Sequence, residues 1–221
     1  MKKFFITGTD TDIGKTFVSS LLFNNLNENT CYYKPVQTGC AFEKETLIIP
    51  DLDFVKNNSK FKKSENFYCS YPLKYSLSPH LSCKKTNTEI NVSKIISDYK
   101  NLENKFKNII VEGAGGVFTP INENNYFIYN LIKDLNLNTI VVTSTKIGTI
   151  NHTILTLNHL KQTGIKISGI VFNKFKNTYY EKDNIDFIKN YSKISNTLIL
   201  PVQEENSNLI CNEVLNFINS I

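Results

Sequence analysis

Gly8-Thr9-Asp10-Thr11-Asp12-Ile13-Gly14-Lys15-Thr16 decides the fold of this chain. The run lies between an apolar stretch, Phe4-Phe5-Ile6, and a helical pattern that opens at Phe17-Val18. A glycine-rich loop between a strand and a helix is the setting in which backbone N–H groups wrap phosphates. Glycines let those groups turn towards an anion, and the start of the next helix adds partial positive charge at the same point. Lys15 is then placed to reach the outer phosphates, and the Thr16 hydroxyl to ligate Mg²⁺. The sequence therefore predicts a nucleoside triphosphate site. Residues 9–13 separate the two glycines, one more residue than the usual phosphate loop has. The longer loop carries Thr11 and Asp12 at its tip, facing whatever lies beyond the γ-phosphate.

Outward from this loop, short apolar and β-branched runs alternate with helical patterns. Strands are expected at 3–7, 30–34, 108–112, 139–143, 166–172 and 198–201, several of them apolar throughout, as strands buried on both faces are. Helices are expected at 16–26, 51–57, 91–106, 126–135, 151–162, 179–191 and 207–218. This alternation predicts an α/β fold, a doubly wound, mostly parallel sheet flanked by helices, of the P-loop NTPase kind. Ligands then sit beyond the carboxyl ends of the strands. The least regular region, 35–88, carries turn signals at Pro35, Gly39, Pro50, Pro72 and Pro79, and long irregular segments of this kind often form substrate sites.

Composition narrows the function. A length of 221 residues, 41% hydrophobic and 20% charged, fits one globular domain spanning 1–221. No apolar stretch is long enough to span a membrane. The opening Met1-Lys2-Lys3-Phe4-Phe5-Ile6 reads as a first strand rather than a signal peptide, because Gly8 and Asp10 cut its apolar run short. Five scattered cysteines without a CxxC pair read as reduced thiols of a cytoplasmic protein. The net charge of +5 is spread over the chain rather than gathered in a patch, so no nucleic-acid partner is expected. All 25 basic residues are lysine. An arginine finger, common among NTPases, is therefore excluded from this chain and from a second copy of it.

Three further segments end expected strands on the edge where the phosphate loop lies. Lys34-Pro35-Val36-Gln37-Thr38-Gly39 offers a lysine that either holds an anionic group or is a surface residue before a proline turn. Glu112-Gly113-Ala114-Gly115-Gly116 offers a carboxylate where phosphate-loop proteins hold Mg²⁺, with small residues that let backbone approach a ligand. Asn173-Lys174 offers an amide able to pair with a purine edge. Lys146-Ile147-Gly148-Thr149-Ile150-Asn151-His152 leads into a helix whose N–H groups could bind a carboxylate. His80, His152 and His159 read as surface or helix-start residues.

In order and spacing, GTDTDIGKT (8–16), YKPVQTG (33–39), SPH (78–80), VEGAGGVFTP (111–120), KIGTINHT (146–153), the strand end at Asn173 and Pro201-Val202-Gln203 resemble the dethiobiotin synthetase family. The resemblance covers nearly the whole chain. It implies an ATP- and Mg²⁺-dependent cyclo-ligase of biotin biosynthesis. Such an enzyme joins 7,8-diaminopelargonate and CO₂ (from bicarbonate) into dethiobiotin, through a carbamate and a carbamic–phosphoric anhydride. It also implies a homodimer whose substrate site lies near the interface, where the partner's 146–152 segment receives the substrate carboxylate.

Residue by residue, the resemblance assigns Lys34, Lys15 and Thr11 to catalysis. Asp12, Ile13, Gly14, Lys15, Thr16 and Phe17 go to the nucleotide, as do Glu112, Gly113, Ala114 and Gly115. Asn173, Lys174, Pro201, Val202 and Gln203 border the base. Thr38, Gly148 and Asn151 go to the substrate. Thr16 and Glu112 hold Mg²⁺ together with Asp51 or Asp53. Three positions depart from the family pattern: Asp12 stands where Glu is common, Thr38 where Ser is frequent, and Lys174 where Asp is frequent. A lysine accepts no hydrogen bond from a base, so ATP against other nucleotides stays open. Cobyrinate a,c-diamide synthetases need a further glutamine-hydrolysing domain for which 221 residues leave no room. A partition-type ATPase switch usually has an extra lysine early in its phosphate loop, where Thr9 and Asp10 stand here. A GTPase would show Asn-Lys-x-Asp where this chain reads Asn173-Lys174-Phe175-Lys176.

Overall fold

A computed structural model describes residues 1–202 and 207–221. β1 (Lys3–Gly8) passes through the glycine-rich loop into α1 (Lys15–Asn24). β2 (Thr30–Thr38) follows, then an antiparallel hairpin of β3 (Ala41–Glu43) and β4 (Thr46–Ile48), and α2 (Pro50–Asn57). Next come β5 (Phe67–Leu73), α3 (Pro79–Thr86), α4 (Val92–Lys105), β6 (Asn108–Gly116) and α5 (Ile128–Asp134). The chain continues through β7 (Asn138–Ser144), α6 (Thr149–Gln162), β8 (Ile167–Phe175), α7 (Tyr179–Ser192), β9 (Thr197–Pro201) and α8 (Ser207–Ser220). Seven of the strands form one sheet in the order β5-β2-β6-β1-β7-β8-β9, each neighbouring pair parallel. This is the doubly wound α/β fold the strand–helix alternation predicts.

Successive side chains of a strand point to opposite faces, and here both faces are apolar. Phe5, Val111, Val141 and Phe172 pack into one cluster, covered by α4, α5, α6 and α7 through Tyr99, Leu131, Leu157 and Ile188. Their neighbours Ile6, Ile110, Val142 and Val171 pack into the other, covered by α1, α2 and α8 through Leu22, Val55 and Phe217. Burial on both faces is why these strands read as unbroken apolar runs. No helix among the described residues is long and apolar enough to cross a membrane. The five cysteines are free thiols.

Four expectations are corrected. Lys34 and Glu112, expected as the last residues of their strands, and Asn173, expected just past its strand, all lie inside strands, because β2, β6 and β8 run on to Thr38, Gly116 and Phe175. The glycine run after Glu112 lies within β6, although Gly115 turns into the left-handed region at φ 64°, and Gly113 has no room for a side chain because a Cβ there would come within 2.8 Å of the Phe5 ring. Pro35 fits inside β2 because pairing with β6 stops at Tyr33↔Val111. Region 35–88 is not irregular but holds the hairpin, α2, β5 and α3. β5 is an edge strand, a place where a sheet tolerates a proline such as Pro72.

Candidate active site

Beyond Tyr33 and Val111, β2 and β6 part, and the gap opens into a cleft of about 920 Å³ at the carboxyl ends of the strands. The phosphate loop forms one wall. Its start is fastened to the sheet, where Thr9 N–H donates to the Val142 carbonyl at 3.1 Å. Its tip is exposed, with Thr11 N–H donating to Asp10 Oδ1 at 2.7 Å and Asp12 in the left-handed region at φ 54°. Its end is the turn at Gly14, φ 91°, where a Cβ would lie 2.1 Å from Asn173 Nδ2. Only glycine fits there. Asn173 is buried, and its Nδ2 donates to the Ile13 carbonyl at 2.7 Å. Lys174 Nζ donates to the Asp12 carbonyl at 2.6 Å. The end of β8 thus clamps the loop from below.

Lys15 is buried at the head of α1 and donates to the Asp10 carbonyl at 2.9 Å. Burial and then repulsion from Lys34 pull its pKa down to about 8, against the opposing pull of Glu112, Asp51 and Asp10. Lys34, 3% exposed, reaches across the gap between β2 and β6. Its ammonium lies 2.5 Å from Asp51 Oδ2, 2.8 Å from Glu112 Oε1 and 3.3 Å from the Gly113 carbonyl. Burial alone would lower the Lys34 pKa, but the two carboxylates outweigh it and hold the ammonium charged well above the usual range.

Glu112 is 1% exposed and accepts four hydrogen bonds. Oε1 accepts from Lys34 and from the Thr16 hydroxyl at 2.9 Å, and Oε2 from Ser19 at 2.6 Å and Tyr32 at 2.9 Å. Burial and then the Glu112 charge push the Tyr32 phenol well up, so it stays a donor. Ser19 and Tyr32 do not stand out in the sequence. The only local signals are spacing: Tyr32 shares a strand face with Lys34, and Ser19 lies one helical turn after Thr16.

The cleft gathers Thr11, Asp12, Gly14, Lys15, Thr16, Lys34, Thr38, Asp51, Glu112, Ala114, Gly115 and Lys174. The structure divides the aspartate pair. Asp51 faces Lys34, whereas Asp53 Oδ2 accepts from Ile49 N–H at 2.8 Å and caps α2. Phe17 packs against the apolar cluster under α1. Pro201 and Val202 are exposed, with Val202 N–H donating to the Phe175 carbonyl at 3.1 Å beside Lys174. Gln203 lies outside the described residues. Gly148 and Asn151 are exposed at the start of α6 and do not line the cleft. Gln37 and residues 76–79 line it as well; the YKPVQTG and SPH motifs marked Gln37, Ser78 and Pro79, while nothing marked Ser76 and Leu77. His159 packs against the rings of Phe118, tilted, and Tyr129, edge-on, and does not line the cleft.

A family profile described as an AAA domain matches residues 2–208. The ATP-dependent dethiobiotin synthetase BioD of Fusobacterium nucleatum subsp. nucleatum is 43% identical over 200 residues, covering 90% of this chain and 91% of that protein. The BioD of Clostridium perfringens is 38% identical over 219 residues, covering 96% of each. Among solved structures, the Pyrococcus furiosus cell division ATPase MinD superposes with a TM-score of 0.62 at 14% identity, over 100% of this chain and 98% of that one. A ParA family ATPase from Chlorobium tepidum gives 0.54 at 12% identity, over 99% and 91%. Those distant likenesses speak for the fold alone. With close relatives matching along nearly its full length, the chain belongs to the family of ATP-dependent dethiobiotin synthetases.

Proposed function

We propose that residues 1–221 act as one cytoplasmic ligase domain that converts 7,8-diaminopelargonate, CO₂ and ATP into dethiobiotin, ADP and phosphate. The observation that carries this reading is the meeting of Lys34, Asp51 and Glu112 with the phosphate loop in one cleft. In the proposed sequence one amine attacks CO₂ and loses a proton, giving a carbamate. A carbamate oxygen attacks the γ-phosphorus as the bond to the ADP oxygen breaks. The second amine then attacks the carbamate carbon and gives up a proton, the carbon–oxygen bond to phosphate breaks, phosphate leaves, and the cyclic urea closes.

The chain's residues divide this work. Backbone N–H groups from Asp12 to Phe17 and the start of α1 bind the phosphates, and Lys15 bridges the outer ones. Lys34 faces the carbamate and the transferring phosphoryl group, supplying charge that no arginine in this chain can. Thr11 and Thr38 offer hydroxyls to the substrate end of the cleft. Gly113, Ala114 and Gly115 let backbone approach the nucleotide, and Asn173, Lys174, Pro201 and Val202 border the base.

Mg²⁺ fits the donor set. Thr16, Asp51 and Glu112 offer a hydroxyl and carboxylate oxygens, the hard ligands this ion takes. The two carboxylates lie close enough to share one cation, the Lys34 ammonium. Among the described residues no group of three or more His, Cys, Asp or Glu side chains could hold a metal alone. That suits an ion which keeps water and phosphate oxygens for its other positions. When bound, Mg²⁺ neutralises charge on the phosphate oxygens.

The same reading makes the protein a homodimer in which Gly148 and Asn151 of one copy serve the cleft of the other. An apolar surface around that segment supports it: Ile147 is 81%, Leu155 62% and Phe118 56% exposed. The test is phosphate release from ATP with Mg²⁺ and bicarbonate, with and without the diamine. Release that needs both the diamine and CO₂, with dethiobiotin seen by mass, is the expected result. Slow release indifferent to the diamine would instead mean a nucleotide switch.

A further inference from the structure

We propose that Tyr32 and Ser19 are positioning residues that hold the Glu112 carboxylate for its cation, and so set how tightly this chain takes a divalent metal. The inference rests on the ligase reading only in taking Glu112 as a metal ligand. Its ground is the way four donors divide between the two carboxylate oxygens. Thr16 and Lys34, which donate to Oε1, both line the cleft. Ser19 and Tyr32, which donate to Oε2, are fully buried and do not line it. Oε1 can therefore trade Lys34 for a cation arriving through the cleft. Oε2 cannot trade its partners, because neither faces the cleft.

The hydroxyl of Tyr32 is what makes this arrangement more than packing. Its ring fills the apolar cluster beside Ile110 and Phe23, a task phenylalanine would perform as well. Burying the phenol oxygen is costly without a partner, and its partner is Glu112, 80 residues away in the chain. Ser19 comes from α1, one turn beyond Thr16. Two donors from different elements fix both the position and the rotation of the carboxylate. The result is that Oε1 stays aimed at the cleft when Lys34 lets go. Partners that orient a metal ligand in this way typically change metal affinity about 10–100-fold when removed.

The experiment uses the full chain with Tyr32→Phe and, separately, Ser19→Ala. Mn²⁺ is titrated by electron paramagnetic resonance with saturating ADP. ADP affinity is measured by calorimetry in EDTA, and melting temperature without ligand. The expected result is Mn²⁺ binding about tenfold weaker in each variant, with metal-free ADP affinity within about twofold of wild type. Mn²⁺ binding within about twofold of wild type would overturn the inference. So would parallel losses of Mn²⁺ and metal-free ADP binding, which mean a distorted loop. If Tyr32→Phe does not fold, Ser19→Ala decides alone. A wild-type chain that binds ADP but no Mn²⁺ would instead remove Glu112 from the metal site and overturn both readings together.

Discussion

The Lys34 ammonium is the only cation within bonding distance of both Asp51 and Glu112 among the described residues. Removing one partner of a buried ion pair leaves uncompensated charge, at a cost of about 3–5 kcal/mol. Lys34→Ala is therefore expected to melt at a lower temperature without ligand, and to recover part of the loss when Mg²⁺ screens the two carboxylates. It should still bind ATP but lose about 10²–10³ in turnover, the usual effect of deleting one preorganised donor. Turnover like that of the wild type would sink its catalytic role. The two aspartates of α2 separate in the same way. Asp51→Asn should raise the Mg²⁺ needed for half-maximal activity and also lower melting, because it removes one of the two carboxylates paired with the buried Lys34 ammonium. Asp53→Ala should cost about 1 kcal/mol through the lost hydrogen bond to Ile49 N–H and leave the Mg²⁺ requirement alone. The Mg²⁺ requirement of the two variants decides it, and the reverse pattern would put Asp53 at the metal.

At the scale of elements, α7 fastens the nucleotide end of the sheet. Glu181 in its first turn accepts from Thr145 at 2.6 Å on one oxygen. On the other it accepts from Lys176 N–H and Thr178 N–H, both at 3.1 Å, and from the Thr178 hydroxyl at 2.8 Å. This ties the ends of β7 and β8 together beside Asn173 and Lys174. Burial alone would raise the Glu181 pKa, but these hydrogen bonds outweigh it and hold the carboxyl below its ordinary 4.5. The folded value lies below the unfolded one, so the stabilisation is full above 4.5 and is lost as pH falls through the folded value. Glu181→Gln is expected to melt at a lower temperature than the wild type at neutral pH, a gap that narrows as melts are repeated at acid pH. A gap that stays constant would show that charge plays no part. Element boundaries were legible wherever apolar periodicity reported burial, as in β1, β7, α4 and α6. They were not legible in β6, whose glycines look like a turn but answer to close neighbours: the Phe5 ring at Gly113, and Thr119 with a positive φ at Gly115. β5 escaped notice because an edge strand is only half-buried and carries a proline. Within the site, the phosphate loop, Lys34 and Glu112 could be read locally. Ser19 and Tyr32 could not, because they meet Glu112 across 93 and 80 residues. Asp51 and Asp53 could be told apart only once a helix gave one of them a cap.

At the scale of the whole molecule, the residues proposed to meet the substrate fall into two groups that one copy of the chain does not bring together. Thr38 lines the cleft, while Gly148 and Asn151 stand exposed at the head of α6 and do not. If both groups serve one substrate, the second must come from a neighbouring copy, and a two-fold interface makes that exchange reciprocal. The exposed Ile147, Leu155 and Phe118 give such an interface an apolar centre. Mixing two inactive variants tests the arrangement directly. Lys34→Ala removes a group that acts within its own cleft. Asn151→Asp sets a negative charge against the substrate carboxylate in the partner's cleft. In a mixed dimer both defects then fall on one of the two sites and the other is intact. After the subunits exchange at equal concentrations, activity should rise to about a quarter of the wild-type level, because half of the dimers are mixed and each has one working site. Were residues 146–152 to serve the cleft of their own chain, each site would keep one defect and mixing would restore nothing.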